Sequence, residues 1–561
     1  MLDKFLSKIV PKQHQCLEQD TAAYKTFLEA NQACSEWKYP NFSTSCDEEL
    51  WNTFTQYLQN FFLEFCGDDC ELSWSNIALE AKSGPGVAVG ANGTTHYGKF
   101  YSGPLCATDP FLLDLYRADI RLWPEESNAE IIRELDYGSP LIVKGSNSSF
   151  VPKTVKTSRM IGVEPAVNVY YQLGLASIIQ KRLLRLYGID LRTQPSTNRY
   201  LAYLGSIIDS TRGDGFATID LSSASDRLSL AFASEVLPPE WLSTILALRS
   251  SLTSVRIGAD VVDHRLCMVS MMGNGFTFPF QTAVFASAAA AAVSLSDNLR
   301  KAPRSGFGLR AALFSVFGDD IVIRAGESDR LLRLLQWLGA IPNPEKTFTN
   351  GGFRESCGHD YFHGFNVRPV FVRRLDDVKD LTVLANLLVD WSVRLEIQIP
   401  RTLEMLVSKI RNVAPMCANE DEGLRVPYDL AIKYGSDFGV KGFCPHTQSL
   451  VYTRRFPRLR QVRICDGVVK TPRGAKRLMY NPSGLHMAFL RGEIRNSSIT
   501  IRGDKALYRS KLSVAPNWDY RPSTLEDDLI GSYSSAAGLA AQVSLTLEPV
   551  LRSVLISRKG E

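Results

Sequence analysis

The segment Val316–Val322 reads VFGDDIV. Its Gly-Asp-Asp, 318–320, lies between AALFSVF and IVIRA, two short runs rich in apolar residues. Such runs on either side of a short polar turn predict a β-hairpin. Gly318, Asp319 and Asp320 would form its tip, where a rigid hairpin directs carboxylates at a fixed point. The hairpin is therefore the first candidate for a metal-binding site.

A second Gly-Asp-Asp occurs in FCGDDCE, Phe65–Glu71, but its surroundings differ. Apolar residues recur at three- and four-residue spacing in the preceding EELWNTFTQYLQNFFLEFCG, which predicts an amphipathic helix. Gly67 would be the C-terminal cap of that helix, and Asp68 and Asp69 would be solvated residues of the next loop. We expect no catalytic role for this copy.

A two-metal phosphoryl-transfer site needs more oxygen ligands than one turn provides. The run GFATIDLSSASDRLSLAF, 215–232, offers a third carboxylate, because its apolar part predicts a buried strand that ends at Asp220. Ser222 or Ser223 would cap a helix that continues to the next proline pair and carries Asp226 in its first turns. A favourable interaction with the helix dipole would by itself explain Asp226. An acid at the end of an apolar strand has a weaker structural explanation, so Asp220 is the better candidate for a catalytic role.

The run SMMGNGFTFPFQTAVF places a glycine on each side of Asn274, which permits close approach of the backbone to a ligand. The segment Phe276–Ser296 is uncharged over a length that can span a bilayer. Its Pro279, Gln281 and alanine run instead predict a tightly packed interior helix.

In this order, the segments resemble the palm of RNA-dependent RNA polymerases, with Asp220 in motif A, Gly273–Thr277 in motif B and Gly318–Asp320 in motif C. The runs ATIDLSSASD, MGNGFTF, GDDI and FRESCG are similar to those of the replicase subunits of leviviruses, the small positive-strand RNA bacteriophages. So are VPKTVKTSRMIGVEP, YGIDLRTQ and NPEKTF, and the resemblance covers residues 150 to 370. It implies an α+β right-hand polymerase with fingers, palm and thumb and an antiparallel palm sheet backed by helices.

The resemblance implies four parts of the chain. Residues 1–150 would contribute to the fingers, and 151–205 would be fingers with the nucleotide-binding motif F. Residues 206–374 would form the palm with motifs A to E, and 375–561 the thumb and a basic RNA-binding region.

The implied reaction is nucleotidyl transfer by two Mg²⁺ ions, in which a 3′-hydroxyl attacks the α-phosphorus of a nucleoside triphosphate. Asp220 and Asp319 would hold both ions, and Asp320 would assist. Mg²⁺ suits this task because it takes few carboxylates and keeps positions for phosphate oxygens and water, and Mn²⁺ or Ca²⁺ can replace it in binding.

Other roles follow from the same resemblance. Lys153, Lys156 and Arg159 would bind the triphosphate, although composition alone would make them surface charges. Lys346, at the motif D lysine position, would protonate the departing pyrophosphate or else form a salt bridge at the palm edge.

Motif B and Asp226 would select the sugar. Asp226 and Asn274 would bind the ribose 2′-hydroxyl, and Gly273 and Thr277 would complete the substrate-binding loop. Two departures from the coliphage enzymes leave the ribose contact open, since they carry Glu where this chain has Pro279 and Gln281. Many other RNA polymerases carry Asn at the position of Gln281. A third departure, Phe317 in place of Tyr, keeps the ring and should preserve activity.

The formal net charge of +4 is unevenly distributed, because the C-terminal region is strongly basic. Between Arg454 and Lys511 there are fifteen Lys or Arg and three acids, a local +12 that leaves −8 for the remaining residues. Aromatic residues lie among these charges, a pattern that suits a phosphate backbone with bases stacked on rings. A solvated basic face is the alternative. The predicted RNA contacts are Arg454, Arg455, Arg458 and Arg460.

The resemblance also implies partners and location. Enzymes of this family start without a primer on a single-stranded RNA genome, with translation factors Tu and Ts and host RNA-binding proteins, including a ribosomal protein. Eleven cysteines without a CxxC pair and no secretion signal are typical of the host cytoplasm, and we expect no membrane partner.

Three alternatives remain. A catalytically inactive RNA-binding scaffold would use only the basic region, and a reverse transcriptase would share the palm but usually carries a bulky aromatic where Asp226 stands. Cys357, His359 and His363 have a spacing that could bind zinc, but no fourth ligand is near and their run resembles the motif E hairpin.

Overall fold

The structure is a computed structural model. It describes residues 17–154, 156–208, 215–257, 260–295, 313–372, 374–458, 460–465, 468–471, 474–477, 481–492, 494–495, 498–501, 507–520 and 536–560. Within 456–480 and 493–508 only the backbone path is described.

The N-terminal region is mainly helical and contains the predicted amphipathic helix, α2, which begins at Ser45. The Thr44 side chain caps its first turn by accepting a hydrogen bond from the Asp47 N–H. The helices of this part are α1 Leu17–Glu36, α2 Ser45–Leu63, α3 Trp74–Glu80, α4 His96–Phe100, α5 Pro110–Ile120 and α6 Pro124–Tyr137, and the strands are β1 Cys106–Ala107, β2 Leu141–Ile142, β3 Ser146–Pro152 and β4 Ser158–Val163.

The expectation that Gly67 caps α2 is wrong. The helix ends at Leu63 with Glu64 as its C-cap. Gly67, with a φ of 117°, instead precedes a short 3₁₀ turn over Asp68–Cys70. The helix ends before the glycine because the chain at Glu64 already turns to extended backbone.

A three-stranded antiparallel sheet lies at the centre of the molecule, in the order β5-β10-β9. The central helix α11 packs against it and against α2, α7 and α12. This part contains helices α7 Ala166–Arg182, α8 Gln194–Ile207, α9 Leu230–Val236, α10 Pro239–Leu248, α11 Thr277–Ser294 and α12 Ser328–Trp337, and strands β5 Phe216–Ile219, β6 Leu221–Ser222, β7 Leu252–Ile257, β8 Asp260–Arg265, β9 Phe314–Phe317, β10 Asp320–Arg324, β11 Ile341–Pro342, β12 Phe353–Ser356, β13 His359–Phe362 and β14 Phe365–Asn366.

Helix α11 is the interior helix that the sequence predicts. Sixteen of its eighteen residues are buried. Pro279 lies in its first turn, where the missing N–H has no intrahelical partner to lose. Alanines allow the neighbouring helices and the sheet to pack closely around it.

The predicted helix after Asp220 begins later than expected. Leu221–Ser222 forms the short strand β6 instead, Ser223 has a φ of 53°, and Ala224–Asp226 is a 3₁₀ turn. The helix α9 starts only at Leu230, and the Ser229 side chain caps it. Asp226 is therefore in a turn before the helix, because β6 pairs with β11 and holds this segment extended.

A second sheet joins distant parts of the sequence in the order β4-β3-β7-β8. Strand β3 is parallel to β7, with Ser146 opposite Thr253. The hairpin Leu252–Arg265 thus extends the sheet that carries the predicted motif F, although it lies within the segment predicted as palm. The division into fingers, palm and thumb stays a prediction.

The C-terminal third has its own hydrophobic core, in which α13, α14 and α17 pack together. A three-stranded sheet, β17-β18-β24, lies beside this core. The helices are α13 Val378–Leu395, α14 Pro400–Val407, α15 Tyr428–Tyr434, α16 Pro482–Leu490 and α17 Ala536–Gly560, and the strands are β15 Val413–Ala414, β16 Leu424–Arg425, β17 Val440–Cys444, β18 Ser449–Arg458, β19 Arg460–Cys465, β20 Val468–Thr471, β21 Gly474–Arg477, β22 Ile494–Arg495, β23 Ser498–Ile501 and β24 Leu507–Ala515.

Helix α16 belongs to the C-terminal third in sequence but packs on α6 of the N-terminal region. The Asn481 amide donates to the Ala129 carbonyl over 2.7 Å, and Arg491 pairs with Glu126 over 3.1 Å. The N-terminal region and the C-terminal third are therefore in direct contact.

The C-terminal helix α17 has a stretch, Gly538–Lys559, whose length and composition would allow it to cross a membrane. Core helices of globular proteins pass the same criterion, and its inner face contributes Val543, Leu547 and Val550 to the C-terminal core.

Candidate active site

The turn Gly318-Asp319 joins β9 to β10 as a two-residue hairpin, with Phe317 opposite Asp320. Gly318 has a φ of 64°, a backbone conformation that suits glycine in such turns. Its N–H donates to the Thr282 hydroxyl of α11 over 3.1 Å, and a Cβ there would lie 2.4 Å from the Phe278 ring. The hairpin predicted from VFGDDIV is therefore confirmed and is fixed on the buried helix.

Asp220 lies at the same edge of the sheet as this turn. Ile219, the residue before it, is opposite Ile321 on β10. The Asn343 N–H donates to the Asp220 carbonyl over 2.8 Å, and the Asn343 amide donates to its carboxylate over 3.3 Å. Antiparallel pairing thus brings Asp220 to the two adjacent acids, as the sequence predicts.

The pKa values of Asp319 and Asp320 both lie above the ordinary aspartate value. Burial and then the negative charge of Asp220 raise the pKa of Asp319, while Arg159 and Lys153 oppose the rise. Burial raises the pKa of Asp320 to about 6, with Asp319 and Asp220 adding to the effect. One oxygen of Asp320 accepts a hydrogen bond from the Cys357 N–H over 3.2 Å, so this side chain is oriented by the motif E turn.

This set of side chains suits a hard divalent cation. Carboxylate oxygens are the ligands that Mg²⁺ prefers. Burial and then the neighbouring acids raise the pKa values of Asp319 and Asp320, and a bound cation would favour their charged forms. Within the described ranges, no three His, Cys, Asp or Glu side chains already form a metal-holding group.

Lys346 lies beside this cluster. Its ammonium is 3.7 Å from an Asp220 oxygen and 3.6 Å from a Glu355 oxygen. Burial alone would lower its pKa, but Glu355 and then Asp220 together raise the pKa above the ordinary lysine value. Lys346 is therefore protonated at neutral pH, in a position compatible with both roles predicted for it.

The predicted motif F residues lie on the β3–β4 hairpin, whose Val151 is opposite Arg159. Burial, and then the charges of Arg159 and Lys346, lower the pKa of Lys153, whereas Asp220 and Asp319 oppose this. Lys153 reaches solvent at the edge of the carboxylate cluster. Lys156 lies at the exposed tip of the hairpin. The structure brings Lys153 and Arg159 to the carboxylates and places Lys156 farther along the turn.

Asp226 and Asn274 lie on adjoining loops. The Met272 N–H donates to the Asp226 carboxylate over 3.0 Å. Burial raises the pKa of Asp226 to about 6, while this hydrogen bond opposes the rise. Asn274 is 7% exposed. Its side chain lies beside the buried Glu164 carboxyl, where it opposes the rise in the Glu164 pKa caused by burial, but its Nδ2 is not within hydrogen-bond distance of a partner in the described part of the chain. A buried donor of this kind is available to a ligand.

The other two motif B residues shape the loop. Thr277 donates to the Ser270 hydroxyl over 2.7 Å, which orients its hydroxyl and leaves the oxygen able to accept a hydrogen bond. Gly273 has a φ of 111°, and a Cβ there would lie 2.2 Å from the Gly162 carbonyl oxygen. Glycine is thus required both by backbone conformation and by the close approach of β4.

Two of the departures from the coliphage sequences, Phe317 and Gln281, lie next to the Gly318 turn. The Phe317 ring packs edge-on against Phe278 with centroids 4.8 Å apart, in line with the expected ring packing. Gln281 is buried beneath the Gly318 turn, and its Oε1 lacks a hydrogen-bond partner among the residues described.

The first Gly-Asp-Asp is far from this arrangement and has a structural explanation. Asp69 pairs with Arg185 over 2.7 Å and with Lys181 over 3.1 Å. The Arg185 hydrogen bond, followed by that of Lys181, lowers the pKa of Asp69. The turn connects α2 to α3 and is tied to α7 through Lys181, and of the two copies only the second lies beside Asp220.

The four predicted RNA-contacting arginines are not equivalent. Arg454 makes a two-pronged ion pair with Glu422 over 2.8 and 2.7 Å, and the Glu422 side chain is 2% exposed. Arg455 is half-buried on the next position of β18. The Arg458 and Arg460 side chains lie outside the described residues. Arg454 therefore has a structural role that its charge alone does not reveal.

Cys357, His359 and His363 belong to the β12–β13–β14 hairpins, the arrangement expected of motif E. No zinc-holding group is present among the described side chains. The nine cysteines whose placement is described are free thiols.

Some contacts of the site were not predicted. Asn343, Glu355 and Cys357 each touch the carboxylate cluster or Lys346. Asn343 lies in NPEKTF and the other two in FRESCG, so the signal was present, but only the pairing of β6 with β11 and the hairpin turn after β12 bring them to the site.

The chain was compared with known proteins. It is 29% identical over 404 residues to the RNA-directed RNA polymerase subunit beta of Qbeta virus (strain MX1), covering 71% of this chain and 63% of that protein. It is 36% identical over 263 residues to the corresponding subunit of Enterobacteria phage SP, 46% of this chain and 42% of the relative. The chain thus spans less than two thirds of the length of these relatives.

Among solved structures, the RNA-dependent RNA polymerase of a human picorbirnavirus overlaps 73% of this chain and 76% of its own with a TM-score of 0.40 and 10% identity. That overlap is too loose to support an inference. The family model described as RNA replicase, beta-chain matches residues 127–504, more than half of the chain. The resemblance predicted from the motifs is therefore confirmed, and this α+β chain belongs to the RNA replicase beta-chain family.

Proposed function

We propose that this chain is an RNA-directed RNA polymerase that replicates the single-stranded, positive-sense genome of an RNA phage in the cytoplasm of its bacterial host. The observation that carries the proposal is the meeting of Asp220, Asp319 and Asp320 at one edge of the central antiparallel sheet, facing Lys153 and Arg159. A cluster of acids next to a cluster of bases suits metal-assisted transfer of a nucleotide from its triphosphate.

Two Mg²⁺ ions, when bound, would stabilise the negative charge on the attacking 3′-oxygen and on the leaving pyrophosphate. Asp220 and Asp319 would hold them, since Asp220 follows β5 and Asp319 lies in the β9–β10 turn at the same edge of the sheet. Asp320 would assist with its free oxygen, because its other oxygen is engaged by the Cys357 N–H.

The basic side chains would bind the triphosphate, and one of them would protonate the departing pyrophosphate. Arg159 can grip phosphate with two N–H groups, and Lys153 and Lys156 would act as point charges. Lys346 would donate a proton from Nζ to the departing pyrophosphate. Its raised pKa keeps that proton in place until the leaving oxygen becomes negatively charged.

Sugar selection would fall to Asp226 and Asn274. The Asn274 Nδ2 and the Asp226 carboxylate would hydrogen-bond the 2′-hydroxyl, and Gly273 and Thr277 would complete the substrate-binding loop. A deoxynucleotide would leave these buried groups unpaired, which disfavours its binding.

The basic C-terminal region would bind the RNA. Arg455, Arg458 and Arg460 remain candidate phosphate contacts, and Arg454 would contribute charge from within its ion pair. By relation to the phage replicase subunits, we also propose primer-independent initiation and a complex with translation factors Tu and Ts and host RNA-binding proteins.

One experiment tests the polymerase proposal against its alternatives. Purified chain, with and without host extract, receives Mg²⁺ and defined RNA or DNA templates with ribo- or deoxynucleotides. We expect ribonucleotide incorporation directed by RNA and dependent on Mg²⁺. Deoxynucleotide incorporation would identify a reverse transcriptase, and RNA binding without incorporation under every condition would identify a scaffold.

A further inference from the structure

We infer that Gln172, on helix α7, is a positioning residue that sets sugar selection by fixing one end of the motif B loop, 272–275. The inference rests on the proposed function and assigns a role outside the polymerase motifs. Gln172 is fully buried and lies about a hundred residues before the loop in sequence.

The loop is held at both ends by specific hydrogen bonds. At its first residue, the Met272 N–H donates to Asp226, and the Met272 carbonyl accepts from the Gly162 N–H over 2.8 Å. At its last residue, the Gly275 N–H donates to the Gln172 Oε1 over 2.9 Å. Asn274 lies between these anchors, so its position depends on both.

Gln172 is itself rigidly placed. Its Nε2 donates to the Leu248 carbonyl over 2.9 Å, so both ends of the amide are engaged and its orientation is determined. A Cβ on Gly275 would lie 2.9 Å from the Gln172 Cβ, which shows how closely the helix and loop approach. Displacing the loop by a fraction of an ångström would therefore require movement of a buried helix.

Asn274 makes the position of the loop matter for selection. Its Oδ1 accepts from the Phe276 N–H over 3.0 Å. Its Nδ2 lies near the buried Glu164 carboxyl but makes no hydrogen bond within the described residues, so it is the group able to meet a ligand. If the Gly275 anchor is lost, this donor no longer has a fixed position relative to Asp226. Discrimination against deoxynucleotides should fall, because it depends on geometry that only the ribose completes.

The chain provides a matched control on the same helix. Asn168, one turn before Gln172, is equally buried and donates to the same Leu248 carbonyl over 3.1 Å. It also bonds to Thr108, with its Nδ2 2.6 Å from the Thr108 hydroxyl oxygen. It makes none of the loop-anchoring bonds, so its loss disturbs the helix packing without releasing Gly275.

The test compares Gln172→Met with Asn168→Leu, both close in volume to the original side chains. The readout is the ratio of kcat/KM for a ribonucleotide to that for its deoxy analogue. We expect Gln172→Met to lower this ratio roughly five- to tenfold, the scale of one lost hydrogen bond, and Asn168→Leu to leave it within about twofold. If Gln172→Met does not fold, Gln172→Asn replaces it, since the shorter amide does not reach Gly275.

An unchanged ratio in the folded Gln172 variant, or an equal fall in both variants, would overturn the inference while leaving the polymerase proposal intact. A wild-type chain that incorporates no nucleotide would instead overturn the proposed function and this inference with it.

Discussion

At the scale of single residues, the active-site acids differ in how they are held. Asp320 has one oxygen bound by the Cys357 N–H, Asp220 is held by Asn343, and Asp319 projects from the turn. Burial, and then the negative charge of the neighbouring acids, raise the pKa values of Asp319 and Asp320. Proton binding and metal binding therefore compete at this site.

This competition predicts a pH dependence. The pKa of Asp320, about 6 in the folded protein, exceeds the roughly 3.9 of an unfolded aspartate, so the stability it contributes when protonated is full at low pH and lost as the pH rises through about 6. Mg²⁺ needs the deprotonated acids and should raise the Tm more at pH 7.5 than at pH 5. Thermal melts with and without Mg²⁺ measure this, and Asp320→Asn should reduce the difference. Equal Mg²⁺ shifts at both pH values would contradict the metal assignment.

Sugar choice gives a second prediction at this scale. Asp226→Ala removes a carboxylate that we assign to the 2′-hydroxyl, and it also frees the Met272 N–H. The ratio of kcat/KM for ribo- to deoxynucleotide should fall by at least about tenfold, since a buried polar group in the site would no longer be left unpaired by the wrong sugar. An active variant with the wild-type ratio would place selection elsewhere.

At the scale of elements, strand β18 carries two neighbouring arginines with different assignments, a structural one for Arg454 and a proposed RNA contact for Arg455. Arg454 satisfies the buried Glu422, and Arg454→Gln would leave that carboxylate without its partner. Because Arg454 is itself partly exposed, we expect a loss of about 1–3 kcal/mol in the free energy of unfolding, below the value for a fully buried pair. Denaturant titration measures it, with Arg455→Gln as the control. A stability equal to wild type would contradict the structural role.

The same strand pair offers a cleaner test of RNA binding. Arg455, Arg509 and Lys511 lie on β18 and β24 and do not neutralise Glu422. Replacing all three with Gln should flatten the plot of log affinity against log salt by roughly one to two units, at about −0.7 per single-strand phosphate contact. The loss should be nearly independent of RNA sequence, because phosphate contacts position RNA without reading bases. An unchanged slope in filter-binding titrations of the folded variant would indicate a solvated face or a protein-binding surface.

At the scale of the whole molecule, local sequence patterns predicted individual helices and hairpins. The features that they could not predict depend on pairing between strands far apart in sequence. The apolar spacing of α2 and the runs around Gly318 each depend on neighbours in sequence, so both could be read directly. The hairpin β7–β8 joins β3 through a parallel pairing across about a hundred residues, and no local signal marks it. The late start of α9 has the same cause, since β11 pairs with β6 and delays the helix.

The candidate site shows the same division. The motif order and the resemblance predicted Asp220, Asp319 and Asp320, and the structure brings them together. The Arg454–Glu422 pair and the anchoring of Gly275 by Gln172 join residues with no shared pattern, so only the folded chain reveals them.

The most direct test of the central claim compares the two Gly-Asp-Asp turns in one assay of Mg²⁺-dependent ribonucleotide incorporation on an RNA template. Asp319→Asn should reduce incorporation by at least about 10²-fold, the scale of losing one preorganised electrostatic group. Asp68→Asn combined with Asp69→Asn should stay near wild type, because these acids lie beside Lys181 and Arg185 and away from Asp220. Equal losses in the two folded variants, or full activity of Asp319→Asn, would contradict the assignment of the catalytic centre.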